Sequence, residues 1–246
     1  MKTVFLLANT ALAATYPVAG WTDDACSGLA IVTEADVSVS DGSRYRAESF
    51  FHSTNEVAIR FLDDNEQVIA VEGSLSWIRQ GGVEQLGGDF HKLFALGHQY
   101  HALLRHFDEI ATSVSNAEAV RFGEEDCSAI SGSYPYGGTM HLIDSGNPLR
   151  PAGMLFEFPG APTMEAHFFD WRGPQGSALP YHIQIDDGDR VFDYRYSDVD
   201  FTPRGPLWFL EAVSPPDIEQ VQIHRQQRRQ LAADCPVPPG DAGSLP

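Results

Sequence analysis

The sequence predicts an α+β fold: a curved, mostly antiparallel β-sheet, a half-barrel, packed on one long central helix. Three observations carry this. Strand-like runs fall in two groups on either side of a single long stretch with an apolar stripe, residues 90–114, and strands, helix, then strands favours an antiparallel sheet over alternating βαβ units. The Asp-Gly at 187–188 separates "PYHIQID" from "RVFDYRY" and signals a hairpin. A sheet with only one substantial helix must also bury that helix's stripe against its own concave face.

The elements follow in order. Residues 15–43 read as an irregular entry with one β-branched run at 30–33. "YRAESFFHS", "EVAIRFLD" and "QVIAVEGSLSWIRQ" form a meander, with "DDNE" (63–66) as a turn. Four glycines in "QGGVEQLGGD" (80–89) close that section before the helix. Residues 113–139 are a connection with short strands at 118–122 and 128–131, because their glycines and prolines resist any long element. "TMHLID", "GMLFEF" and "MEAHFFDWR" then lead into the hairpin. There the period of two puts Tyr181, Ile183 and Ile185 on one face and Phe192, Tyr194 and Tyr196 on a common face of the paired strand. Val221 and Ile223 alternate as in a strand before a run of good helix formers. Arg225, Arg228 and Arg229 make the one basic cluster. The Pro- and Gly-rich residues 236–246 read as an unfolded tail. Residues 14–235 make a single domain.

Charge and targeting narrow the function. The net charge of −18 repels phosphate backbones and anionic lipid headgroups, so nucleic acid is not an expected partner. The first residues, "MKTVFLLANTALAATYPVAG", place Lys2 before a short apolar run and Ala11 and Ala13 in a −3/−1 pattern, which reads as a signal peptide over residues 1–13. Its removal takes away only Lys2 and leaves −19. The run is about half the ~20 residues a spanning helix needs, so no transmembrane segment is expected and the protein reads as periplasmic or secreted. In that compartment Cys26, Cys127 and Cys235 allow one bridge in three pairings and one leftover thiol.

Chemistry has few footholds. No G-x-S-x-G elbow, phosphate-cradling glycine loop or C-x-x-C occurs, so no cofactor is expected and catalysis is not favoured. The helix holds four of the nine histidines, His91, His98, His101 and His106. At ~100° per residue, Leu93, Leu96, Leu103, Leu104, Phe107, Ile110, Ala111 and Val114 form one apolar face. The histidines scatter over the remainder, either on the polar side or at the helix–sheet seam. Only His98 and His101, at i and i+3, could share a metal. They would need further ligands, for which His141, His167 and His182 are available, and His98 to His101 read His-Gln-Tyr-His rather than H-E-x-x-H. A metal-dependent enzyme or metal-binding protein using that pair is the alternative reading. An interaction module with an acidic face is a third.

The aromatic supply, 15 Phe, 8 Tyr and 4 Trp, favours an apolar cavity between sheet and helix that holds a lipid, an acyl chain or another hydrophobic small molecule without catalysis. Its expected lining is Trp77, Phe94, Gly97, Tyr100, Leu104, Phe107, Phe169, Trp171 and Tyr194. Gly97 inside a helix costs about 1 kcal/mol against Ala, which points to close approach of a strand or ligand.

Two stretches, "VEGSLSWIRQ" (71–80) and "IQIDDGDRVFDYRYSDVDF" (183–201), resemble the early Gly-x-Leu-x-x strand and the late hairpin of the bacterial periplasmic lipoprotein-carrier family of lipid-binding half-barrels. They cover about 29 of the 246 residues. The Arg-Pro that follows the early strand in that family is missing, as is a clear N-terminal amphipathic helix. The resemblance implies a half-barrel that holds a lipid in its concave face.

Overall fold

The period of two in the first strand explains how the sheet is assembled. In β1 (Ala30–Val39), Ile31, Thr33, Ala35, Val37 and Val39 are all buried on one face. The computed structural model describes residues 30–62, 66–116, 119–147, 149–174, 178–202 and 207–233. From β1 an antiparallel meander runs outward through β2 (Arg44–Ser53), β3 (Glu56–Leu62), β4 (Gln67–Glu72), β5 (Leu75–Gln80) and β6 (Val83–Leu86). After a helical segment the chain returns through β7 (Val114–Asn116), a separate ribbon of β8 (Val120–Phe122) and β9 (Glu125–Cys127), and then β10 (Ala129–Ser133), β11 (Thr139–Ile143), β12 (Gly153–Glu157), β13 (Met164–Arg172), β14 (Leu179–Asp186) and β15 (Val191–Thr202). The last strand, β15, pairs with the first, β1, and so joins the two meanders. Among the described residues thirteen strands form one antiparallel sheet in the order β6-β5-β4-β3-β2-β1-β15-β14-β13-β12-β11-β10-β7.

Thirteen strands laid flat would span about 58 Å at ~4.8 Å per strand. Yet one cluster of buried side chains takes in Ile78 of β5, Val37 of β1, Tyr194 of β15 and Met140 of β11, together with Leu96 and Leu103 from the helical segment. The sheet therefore curls around that segment as an open half-barrel. Phe168 and Ile183 continue the same face, as does the aromatic side of the β14–β15 hairpin, with Ile183 opposite Tyr194 and Ile185 opposite Phe192. The hairpin turn is held by Asp187 Oδ1, which accepts the N–H groups of Asp189 and Arg190, and Gly188 supplies the left-handed φ of +89°.

The helical segment departs from the expected single helix. It is α1 (Asp89–Gly97), α2 (Tyr100–Arg105) and α3 (Phe107–Ile110). The first break is tertiary in origin. The side-chain Nε2 of Gln99 donates to the carbonyls of Ala58 on β3 and Ala95 on α1, which pins this residue to the sheet and re-phases α2 against α1. A second break falls at His106. Val114, expected on the helix's apolar stripe, is exposed on β7. Leu96, Leu103, Phe107, Ile110 and Ala111 are buried as the stripe requires.

The convex face is also covered in part. Helices α4 (Leu207–Ala212) and α5 (Glu219–Ala233) lie over β1 to β5, where Phe50, Ala58, Val68, Ala70 and Trp77 pack with Phe209, Val213 and Val221. Strand-like alternation at Val221 and Ile223 is thus resolved as one helix with opposite sides, Val221 buried and Ile223 exposed. Helix α5 is anchored by a buried ion pair. Arg225 reaches Glu72 with Nε at 3.1 Å and Nη2 at 2.8 Å, and its Nη1 donates to the carbonyls of Leu210 and Val213. Arg228 pairs with Glu56. The β8–β9 ribbon covers the other flank through Phe122, against Ala129, Ile143 and Leu155. There a Cβ on Gly153 would come within 2.1 Å of the Ala166 carbonyl oxygen and 2.6 Å of Phe122. Residues 1–13, most of the 63–66 turn and the 236–246 tail lie outside the described residues, as do Cys26 and Cys235; Cys127 on β9 carries a free thiol.

Candidate functional site: an aromatic seam on the concave face

The curl of the sheet brings most of the expected lining together. Phe94, Tyr100, Leu104, Phe107, Trp171 and Tyr194 all join the concave-face cluster, and Gly97 is buried beside them at the end of α1. A Cβ on Gly97 would sit 3.6 Å from the Tyr134 hydroxyl, an ordinary contact, so the glycine leaves space beside that phenol rather than relieving a clash.

Two expected residues lie on the other side of the sheet. Trp77, fully buried, packs under α5, with its Nε1–H donating to Glu72 Oε1 at 2.8 Å and the guanidinium of Arg225 over its ring. Phe169 is 43% exposed and touches His182 on the convex surface. It shares a sequence phase with Trp171, but Asp170 between them takes a left-handed φ of +49°. That kink interrupts the alternation, and Trp171 packs edge-on against Phe168 of the concave cluster.

Rings connect the surface to the interior of the seam. Phe90 at the start of α1 is 66% exposed and lies against Phe94. Phe94 stacks on His98 at 4.1 Å, and both meet Phe61 of β3, which meets Tyr45 of β2. His98 leads to Tyr100, and Tyr100 and Tyr134 both pack edge-on against Phe156 of β12. Tyr194 completes the group, its hydroxyl 3.4 Å from that of Tyr45. Tyr45, Phe61, Tyr134 and Phe156 extend the seam beyond the expected lining. The sequence carries a signal for Tyr45, which alternates with Ala47 and Phe51, whereas Tyr134 sits in the "SYPYGG" turn where no period operates.

Three histidines of this segment, His98, His101 and His106, are held neutral. His98 donates Nδ1–H to the Phe94 carbonyl at 2.8 Å, and burial pulls its pKa down to about 4. His101 donates Nε2–H to the Pro180 carbonyl at 2.8 Å and meets Tyr196 edge-on; burial takes it to about 4 as well. His106 is lowered to about 4 by burial and then by Arg105. The pair that could share a metal is thus split by the break at Gln99, with His98 turned to Phe61 and Phe94 and His101 to β14 and β15. The strand histidines project from the convex face: His141 to Ser131 and Glu157, His167 to Glu165, His182 to Asp193. The sheet stands between them and His98 and His101. Among the described residues no group of three His, Cys, Asp or Glu is arranged to hold a metal ion.

The phenols are likewise neutral at ordinary pH. Burial, and then the neighbouring phenols, raise Tyr100, Tyr134 and Tyr194 well above the usual tyrosine value. The seam is therefore a packed, apolar, aromatic layer whose polar atoms are uncharged hydroxyls and imidazoles.

Solved structures share the outline of this fold. The chain is similar to a LolA superfamily protein from Nitrosomonas europaea, at 12% identity over 70% of this chain and 84% of that one, with a TM-score of 0.44. It is also similar to a putative outer membrane lipoprotein-sorting protein domain from Vibrio parahaemolyticus, at 10% identity over 74% and 86%, with a TM-score of 0.47. A DUF1329 family protein from Desulfovibrio piger gives 8% identity over 70% and 85%, with a TM-score of 0.45. No protein-family model and no curated protein matches the chain. At such identities the likeness extends to the fold alone.

Proposed function

We propose that this chain is an exported, non-catalytic binding protein that holds a hydrophobic ligand, a lipid or an acyl chain, between the concave face of the sheet and helices α1 and α2. One observation carries the reading: a line of aromatic rings runs from exposed Phe90 through Phe94 and His98 to buried Tyr100. Exposed aromatic surface that continues into an uncharged interior is what a greasy ligand requires on its way in and at rest. No helix among the described residues is long and apolar enough to cross a membrane. The N-terminal signal pattern supports export to the periplasm or beyond.

Two measurements test the reading. Organic extracts of the protein, purified natively from the cell envelope, should yield a lipid in near-stoichiometric amount by mass spectrometry. The neutral probe N-phenyl-1-naphthylamine should gain fluorescence with the wild-type protein and lose most of that gain in Phe94→Ser. An extract without lipid, together with no probe signal from the delipidated protein, would sink the reading.

A further inference from the structure

Two polar atoms in the seam have no explanation within the fold. The hydroxyls of Tyr100 and Tyr134 are fully enclosed and have no hydrogen-bond partner, in side chains only 1% and 3% exposed. A buried hydroxyl left unsatisfied costs about 1–3 kcal/mol, and phenylalanine would fill either site without that cost. Both rings pack on the same Phe156, and Gly97 leaves the Tyr134 oxygen uncovered by any Cβ. The two phenols thus flank one ring, Phe156, and act electrostatically on one another at the inner end of the ring line that begins at Phe90.

We propose that Tyr100 and Tyr134 form a polar subsite that donates hydrogen bonds to the uncharged carbonyl of a bound acyl ester. This rests on the reading that the seam holds a hydrophobic ligand, and it names the ligand's polar group. The charge state of the surroundings selects the ester over a free carboxylate. The groups acting electrostatically on the two hydroxyls are other phenols, Tyr45 and Tyr196 on Tyr100, and Tyr100 and Tyr136 on Tyr134. Adjacent His98 is neutral at physiological pH. Among the described residues no cation acts on either hydroxyl, so a carboxylate placed there would be desolvated without an offset, while an ester carbonyl needs only the two O–H donors. The hydroxyls carry no accessible surface in this structure, so binding of the ester must displace the side chains that enclose them.

The test uses the delipidated full chain, with N-phenyl-1-naphthylamine as reporter and three chain-matched competitors: methyl palmitate, palmitate and hexadecane. Methyl palmitate should compete about tenfold better than hexadecane and better than palmitate at pH 8. Tyr100→Phe and Tyr134→Phe should each remove that advantage over hexadecane while raising the melting temperature of the empty protein. Gly97→Ala, which puts a methyl beside the Tyr134 hydroxyl, should weaken ester binding and leave hexadecane unaffected. Equal competition by all three compounds, unchanged by the Phe variants, would overturn the subsite and leave the hydrophobic reading standing. Palmitate competing best would overturn the ester assignment. A fall in melting temperature in both Phe variants with no change in ligand preference would show that the hydroxyls are satisfied by enclosed water alone, which also overturns it. Failure of every compound to compete with a bound probe would count against the hydrophobic reading itself.

Discussion

Replacing Arg225 with methionine should be among the most damaging single changes on the convex face. The guanidinium and the Glu72 carboxylate are 3% and 1% exposed. In Arg225→Met the carboxylate keeps only the Trp77 indole N–H as a donor, and the carbonyls of Leu210 and Val213 lose theirs. An uncompensated buried charge costs about 3–5 kcal/mol, and each orphaned carbonyl adds up to about 1. A loss of about 4–6 kcal/mol is therefore expected, a large part of the 5–15 kcal/mol typical of a whole domain. The double variant Glu72→Leu with Arg225→Met removes both charges and should lie within about 2 kcal/mol of wild type, because apolar replacements of buried pairs are often neutral. The assay is urea unfolding followed by far-ultraviolet circular dichroism and by tryptophan emission, for which Trp77 is a local reporter. If Arg225→Met costs less than about 1 kcal/mol, or if the double variant costs the sum of the two singles, the ion pair does not anchor α5.

Other expectations are independent of that pair. His101 sits at about 4 in the folded protein against the ordinary 6.5 of a solvated imidazole. Between those values the unfolded chain binds a proton that the folded chain does not, so stability is complete above pH 6.5 and falls as the pH drops towards 4, by roughly 3 kcal/mol in full. His98 and His106 act in the same direction. Thermal melts between pH 7 and 4 should show this decline, with a shallower slope in His101→Gln; an unchanged slope refutes the assignment. Gly153→Ala should cost about 1–3 kcal/mol or more, since the new methyl meets the backbone of Ala166, which cannot turn aside, as well as the Phe122 ring; a neutral result in chemical denaturation would show that β12 and β13 can separate without loss. At Asp170, glycine should hold stability within about 1 kcal/mol while valine lowers it by about 1–2 kcal/mol, because only the β-branched residue resists a left-handed φ; equal effects would mean the kink is not strained.

Most of the strands are legible in the sequence because they meet the core, and a period of two survives in a single chain; β6, in the glycine-rich 80–89 stretch, has no buried face and is not legible. The short elements expected at 118–122 and 128–131 appear as β8 and β10, and the residues expected to share a face of the 181–196 hairpin do so, on the concave side. The break in the helix is not legible. Gln99 has helical propensity in isolation, and what stops the helix is the Ala58 carbonyl 41 residues earlier, to which its amide donates. Trp77 looks like a lining residue by its chemistry alone, and in strands buried on both faces an aromatic residue gives no sign of which face it serves. The basic cluster at 225–229 is visible in the sequence, but its partners, Glu56 for Arg228 and Glu72 for Arg225, are two acids placed at the ends of mostly apolar strands. The seam's residues on α1 and α2 come out of the helical wheel. Tyr134, in a turn, can be found only in three dimensions.

The pairing of β1 with β15 has a consequence for how the protein comes into being. It sets Ala30 opposite Thr202, a separation of 172 residues, so the sheet's central seam closes only after nearly the whole chain is available. Each meander can form from local hairpins, yet each then presents an open apolar edge at β1 or β15 until the other arrives. Such a topology folds slowly, on the scale of milliseconds to seconds, and leaves the emerging chain dependent on protection from aggregation.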